Sequence, residues 1–186
     1  KTEEKTKTFL INNTNKENKT NKIKTERLIL RPLKKDDAEA LQKIANNKKI
    51  WENLTDSFPY PYTIEVAKNW IKINQKKENQ DNFAITTNNE IIGMIGFEDK
   101  KKFIETGYWI GEPYWGKGYA TEALKAITEY IFNNYESPKI RAKVYAHNVA
   151  SGKVLEKCGY QKQLRTLNTI KAGKPTKEFV YTKNRQ

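Results

Sequence analysis

Cysteine is almost absent from this chain: Cys158 stands alone among 186 residues. No intramolecular disulfide can form, which sets aside the disulfide-stapled secreted scaffolds and points to a reducing, cytoplasmic setting. Long apolar runs are missing as well. None approaches the ~20 residues that a membrane-spanning helix needs, so no membrane association is expected, and no signal-peptide pattern is visible. The chain starts at Lys1 without a methionine, which leaves room for a removed leader. Hydrophobic residues make up only 37% and mean hydropathy is −0.89. Lys and Asn are abundant, so part of this polarity reads as compositional bias without function.

Acidic residues are the minority charge. The formal net charge is +13, of which +3 falls in residues 1–22 and +10 in the remainder. A surface this basic attracts polyanions such as nucleotide cofactors, RNA or ribosomes. The cations are spread along the chain rather than clustered with aromatics on one face, which argues against a dedicated RNA-binding protein. Residues 1–22 carry a single apolar cluster, Phe9-Leu-Ile11. They read as a flexible basic arm with one short ordered piece, leaving 23–184 as one domain of ordinary size.

Within that domain Arg27-Leu-Ile-Leu-Arg31 alternates like a strand and is stopped by Pro32. Asp36 or Asp37 is placed to cap a helix with Ala38, Leu41, Ile44 and Ala45 on one stripe. An aromatic loop, 57–63, precedes a second helix expected to turn Val66, Trp70 and Ile73 inward. Strands follow at about 82–87, 90–98 and 103–110. The run Ile91-Ile-Gly-Met-Ile-Gly-Phe97 is nearly all apolar, as befits a central strand covered on both faces. A helix with Ala120, Leu124, Ile127 and Ile131 at core spacing comes next. A strand at 139–145, a short Asn148-capped helix ended by Gly159, and two strands around the 172–175 turn complete the pattern. The order is β-α-α-β-β-β-α-β-α-β-β. It predicts a single-domain α/β (α+β) sandwich, a mixed, mostly antiparallel sheet flanked by helices.

The most informative stretch is 107–124. It reads as strand, glycine turn and helix, with Gly116 and Gly118 leaving the turn backbone uncovered. Free amides at a helix N-terminus attract an anion such as a phosphate.

Three segments resemble the GNAT superfamily of N-acetyltransferases. Trp115-Gly-Lys-Gly-Tyr-Ala120 resembles its pyrophosphate-binding turn, with Trp115 where Gln or Arg is usual. Asn148-Val-Ala-Ser-Gly-Lys-Val-Leu-Glu-Lys-Cys-Gly-Tyr160 resembles its next motif, and Thr25-Glu-Arg-Leu-Ile-Leu-Arg-Pro32 resembles the first strand of the ribosomal-protein N-terminal acetyltransferase (RimJ/RimL-type) branch. The resemblance spans about 23–184. It implies an acetyl-CoA-dependent N-acetyltransferase without a metal, acting by direct attack of a primary amine in a ternary complex.

For the coenzyme the resemblance implies the backbone amides of Gly116, Lys117, Gly118, Tyr119 and Ala120, with the Thr121 hydroxyl and Trp115 beside them. It further implies that the strand ending at Ile110 splays from its neighbour. That would bring backbone groups of Trp109, Ile110 and Gly111 to the pantetheine arm and aim the Ile110 N–H at the thioester carbonyl. Asn148 caps its helix and is implied to touch the same arm. The wider family often has a tyrosine acid one residue before Glu156, where this chain has Leu155. Ser151 is then the acid for the leaving thiolate, or water is. Glu105, two residues before Gly107, is the first choice as base, acting through water because a carboxylate is weak against an ammonium; Glu98 is the alternative. His147 titrates in the useful range but lies outside the expected acceptor pocket. Cys158 reads as core.

Trp51, Phe58, Tyr60 and Tyr62 are expected to wall an acceptor pocket suited to an amine. A protein α-amino group is the leading acceptor, with ribosome association. A small-molecule amine (polyamine, amino acid or aminoglycoside) and a non-catalytic acyl-CoA-binding domain are the alternatives. Monomer and homodimer remain open.

Overall fold

The computed structural model describes residues 9–10, 22–76 and 81–186. The flexibility expected of residues 1–22 lies outside the described residues, apart from the strand β1 (Phe9–Leu10). Next come β2 (Ile23–Lys24) and β3 (Ile29–Arg31). A 3-10 turn leads into α1 (Ala38–Ala45), α2 (Lys48–Glu52) and α3 (Ile64–Gln75). The meander β4 (Asn82–Thr87), β5 (Glu90–Asp99) and β6 (Ile104–Ile110) precedes α4 (Tyr119–Asn134). The chain ends with β7 (Lys139–Tyr145), α5 (Val149–Lys157), β8 (Gln161–Lys171) and β9 (Lys174–Asn184). Among the described residues the strands form one sheet in the order β1-β2-β3-β4-β5-β6-β7-β9-β8. Only the β6–β7 pairing is parallel. The single-domain mixed sheet flanked by helices is as the sequence predicts.

β5 sits mid-sheet and is covered on both faces. Ile92, Ile95 and Phe97 join the core under α4 and α5, which also takes Leu124, Ile127, Ile131 and Leu155. Ile91 and Met94 face the opposite core with Leu41, Ala45, Ala67 and Ile71 of α1 and α3. Two readings need correction. In α3 Ala67 and Ile71 are buried and Val66 and Trp70 pack against the same core as expected, but Ile73 is 44% exposed, because at 100° per residue it falls on the far side of the helix from Ala67 and Ile71. Asp37 does not cap α1 with its side chain. Its carboxylate takes both terminal nitrogens of Arg31, at 2.7 and 2.8 Å, and the Lys34 amide. A buried guanidinium outcompetes a helix amide for it.

The pairing that shapes the site is β6–β7. Its register covers only Ile104↔Ile140 and Glu105↔Arg141. β6 continues to Ile110 and β7 to Tyr145 without pairing, so the two strands open into a gap. No helix among the described residues is long and apolar enough to cross a membrane.

Candidate active site

On the β6 side of the gap, the Gly111 N–H donates to Ile92 O on β5 at 2.7 Å. Alternation in an antiparallel ladder then turns the backbone groups of Trp109 and Gly107 toward β5 as well, and those of Ile110, Tyr108 and Thr106 toward β7. β7 pairs no further than the Glu105↔Arg141 pair, which takes the Thr106 amide, so the backbone groups of Tyr108 and Ile110 are left as a short free polar edge. The Ile110 carbonyl accepts the Trp115 indole N–H at 2.6 Å. Trp115 thus ties the glycine turn to the end of β6, and the Ile110 N–H stays directed into the gap.

The turn itself is built for an uncovered backbone. Gly116 and Gly118 have φ of 73° and 78°, in the left-handed region, where a side chain costs energy. A Cβ on Gly116 would meet nothing within 4 Å. Helix α4 begins at Tyr119 without a side-chain cap, so the amides of Tyr119, Ala120 and Thr121 have no partner in the helix. The Lys117 ammonium lies over the Tyr114 ring. An open helix N-terminus next to an unpaired strand edge fits a molecule carrying a diphosphate and an amide-bearing arm.

The sequence reading missed what holds the turn. Glu122, in the first turn of α4, accepts from the Thr25 hydroxyl at 2.6 Å, the Arg27 amide at 2.8 Å and Arg27 Nε at 2.7 Å. Arg27 Nη1 donates to Lys117 O at 2.9 Å, and its guanidinium lies over the Tyr119 ring. Burial alone would raise the Glu122 carboxyl, but the hydrogen bonds from Thr25 and Arg27 outweigh it and hold it below the ordinary carboxylate value. The turn between β2 and β3 is therefore strapped onto the glycine turn.

Across the gap, Asn148 caps α5 by accepting the Ser151 N–H at 3.2 Å. The Ser151 hydroxyl lies 2.9 Å from the Tyr108 hydroxyl. Tyr108 is a further residue that sequence reasoning passed over, and its only signal was a polar aromatic at an inward strand position. Leu155 is fully buried, so Tyr108 and Ser151 supply the hydroxyls near this gap. Cys158 is a core residue as expected, and burial pushes its thiol up to about 11.

Glu105 stands where β6 and β7 part. Oε2 accepts from Arg141 Nη2 at 2.8 Å and Nε at 3.0 Å, and Oε1 lies 3.3 Å from Lys143 Nζ. Glu98 sits opposite Glu105 on β5 and pairs with Lys100. His147 stacks on Tyr145, with ring centroids 5.5 Å apart. The aromatic wall does adjoin β6: Phe58 stacks on Tyr62 at 5.0 Å and meets Trp109 edge-on at 5.9 Å, while Trp51 packs on Tyr60 at 5.6 Å. Burial pushes the Tyr62 hydroxyl up to about 12. The far side of this wall is pinned to the β8–β9 tip. Asp56 accepts the Ala172 N–H at 3.0 Å and pairs with Lys171 at 2.9 Å, and the Lys171 ammonium also lies over the Trp51 ring.

A mixed sheet with a parted strand pair, an open glycine turn beside it and a hydroxyl pair across it defines an acyltransferase that uses a coenzyme A thioester. Residues 27–161 match the acetyltransferase (GNAT) domain model. An uncharacterized N-acetyltransferase of Bacillus licheniformis is 31% identical over 150 residues, covering 75% of this chain and 82% of that protein. The ribosomal protein uS5-alanine N-acetyltransferase of Escherichia coli is 29% identical over 153 residues, 76% of this chain and 79% of its own. The crystal structure of a GNAT-family acetyltransferase from Bacillus anthracis superposes with a TM-score of 0.77 at 25% identity, over 88% of this chain and 98% of that one. The chain belongs to the GNAT acetyltransferase family and is an acetyl-CoA-dependent N-acetyltransferase.

Proposed function

We propose that the protein acetylates the α-amino group of a protein or peptide by direct attack within a ternary complex, in the cytoplasm. The observation that carries the reading is the Ile110 N–H directed into the β6–β7 gap, next to the uncapped start of α4. Acetyl-CoA supplies the activated acetyl thioester. The amides of Gly116 to Ala120, with Thr121 beside them, hold the diphosphate. The free β6 edge and Asn148 align the pantetheine arm. The Ile110 N–H stabilises the oxyanion that develops on the thioester carbonyl. Glu105 removes the proton from the amine through water, and Ser151 returns a proton to the leaving thiolate. The choice of a protein acceptor rests on the likeness to the uS5-alanine N-acetyltransferase and on the net charge of +13, which favours approach to ribosomes.

Incubation with acetyl-CoA and a library of peptides bearing free α-amino groups, followed by mass spectrometry, tests the reading. N-terminal acetylation of a peptide subset is expected. Transfer confined to free amino acids, polyamines or aminoglycosides overturns the protein-acceptor assignment. Tight CoA binding with no transfer to any amine overturns the enzymatic one.

A further inference from the structure

Glu178 on β9 is a carboxylate that the scheme above leaves unused. It is only 8% exposed, and its side chain makes no hydrogen bond or ion pair among the described residues. Among the described residues Asn74 Oδ1 is buried without a hydrogen bond, and Lys171 Nζ is buried with only its ion pair to Asp56 and the Trp51 ring beside it. The Glu178 oxygens are not buried in this way, so they keep contact with solvent while the rest of the side chain is covered. The carboxylate thus faces solvent through a narrow opening and has no protein partner of its own among the described residues.

The register fixes where it faces. β7 pairs with β9 as Arg141↔Thr182, Lys143↔Val180 and Tyr145↔Glu178, and directly opposed residues share a face. Arg141 and Lys143 both reach Glu105, whereas Ile140, Ala142 and Val144 point the other way into the core with α4 and α5. Glu178 therefore shares the Glu105 face of the sheet. On β6 that face continues to Trp109, four residues on, where Phe58 of the aromatic wall packs. Tyr145 ends β7 at the wide end of the gap. Its ring is buried and its hydroxyl has no hydrogen bond among the described residues. Burial first, then the negative charges of Glu178 and Asp56, push the Tyr145 hydroxyl upward, in keeping with the register that sets Glu178 directly opposite Tyr145.

The other carboxylates named on this face are matched. Glu105 answers Arg141 and Lys143, and Asp56 answers Lys171. Of these three carboxylates, Glu178 has no ion pair among the described residues. We propose that Glu178, with the Tyr145 hydroxyl beside it, is the binding site for the acceptor's ammonium group, and that the site takes an acceptor with one positive charge rather than a polycation. The inference rests on the acetyltransferase reading and narrows it. An amine of ordinary pKa arrives protonated near neutral pH. Glu178 gathers it as the cation at the mouth of the gap, and the proton leaves toward Glu105 once the nitrogen moves in. One unpaired carboxylate answers one positive charge, and the chain's net charge of +13 disfavours the approach of a second.

The experiment compares wild type with Glu178→Gln and Glu178→Asp on three acceptors: a free-α-amino peptide pool, an Nα-blocked lysine amide and spermidine. For whichever monoammonium acceptor the wild type uses, Glu178→Gln should raise the acceptor KM at least tenfold and leave the acetyl-CoA KM within twofold. Glu178→Asp should recover part of the loss, and spermidine should be the poorest acceptor. An unchanged acceptor KM, an equal rise in both KM values, or a preference for spermidine overturns the proposal. A second measurement is independent of turnover: titration of the CoA-loaded protein with butylamine and with its N-acetylated form, followed by tryptophan fluorescence. Butylamine alone should bind, and Glu178→Gln should abolish the difference. If the wild type acetylates nothing, the acetyltransferase reading falls and this titration still decides Glu178: no amine binding, or binding that survives Glu178→Gln, overturns its role.

Discussion

The hydroxyls of Tyr108 and Ser151 lie 2.9 Å apart, one on β6 and the other in the first turn of α5. Desolvation drives the Tyr108 hydroxyl far above its ordinary value, against the opposing hydrogen bond from Ser151. The phenol therefore stays protonated across the working pH range and acts by orienting Ser151. Ser151→Ala should lower the single-turnover rate at least tenfold, within the usual span for loss of a proton donor of about 10²–10⁴-fold or somewhat below it where water substitutes. Tyr108→Phe should cost several-fold, with the acetyl-CoA KM nearly unchanged. The double variant should be no slower than Ser151→Ala alone, because the two act as one unit. Multiplicative losses in a rapid-quench double-mutant cycle contradict the arrangement.

Glu105 joins two roles that can be separated. As base it touches the reacting amine through water; as structure it holds Arg141 and Lys143 at the fork of β6 and β7. Glu105→Gln should lower the single-turnover rate about 100-fold and also lower Tm. Arg141→Gln keeps the carboxylate but removes its closest cation, so it should lower Tm with the rate held within a few-fold. Comparable rate losses in both variants mean that Glu105 serves only to hold the fork.

Much of this fold was legible because its periods are strong. The apolar run 91–97 signals a strand covered on both faces, and the Leu124, Ile127 and Ile131 stripe signals a helix over a sheet. The expected parting of β6 from β7 also appears, though it came from the family likeness: no periodicity marks where pairing stops. What stayed hidden is long-range and polar. Thr25 and Arg27 meet Glu122 across nearly a hundred residues of sequence, and Arg31 draws Asp37 away from its helix cap. Glu178 carries no local signal, and the register alone places it opposite Tyr145. Local patterning reports which face is apolar; it is silent on which charges meet.

The glycine turn offers a test with an internal control. Gly118 has φ 78°, and a Cβ there would come 3.4 Å from Arg27 Nη2. Gly118→Ala should cost about 1–2 kcal/mol of stability from left-handed strain and weaken CoA binding, because Arg27 also holds Lys117 O. Gly173, at the β8–β9 tip, has φ 74° with nothing within 4 Å of a Cβ. Gly173→Ala should cost similar stability and leave CoA affinity unchanged. Calorimetric titration with CoA, alongside denaturant unfolding, checks both halves; equal CoA affinity in the two variants detaches the turn from the coenzyme.

Glu122 gives a pH-resolved test of the strap. Its folded carboxyl is held below the ordinary value of 4.5 by Thr25 and Arg27. A group depressed in this way adds stability that is fully present above its unfolded pKa and is lost as pH falls through the folded one. Its three accepted hydrogen bonds, one of them part of an ion pair with half-exposed Arg27, suggest a total near 1–3 kcal/mol. Glu122→Gln should therefore be less stable than wild type by about that amount at neutral pH. The gap should hold down to about pH 5, begin to shrink near the unfolded value of 4.5, and close as pH falls through the lower folded value. CoA affinity of Glu122→Gln at neutral pH should fall in parallel, since the strap fixes the amides of the turn. Urea unfolding at three pH values measures the first effect. A stability gap that widens as the solution is acidified has the wrong sign for this linkage and removes Glu122 from the account.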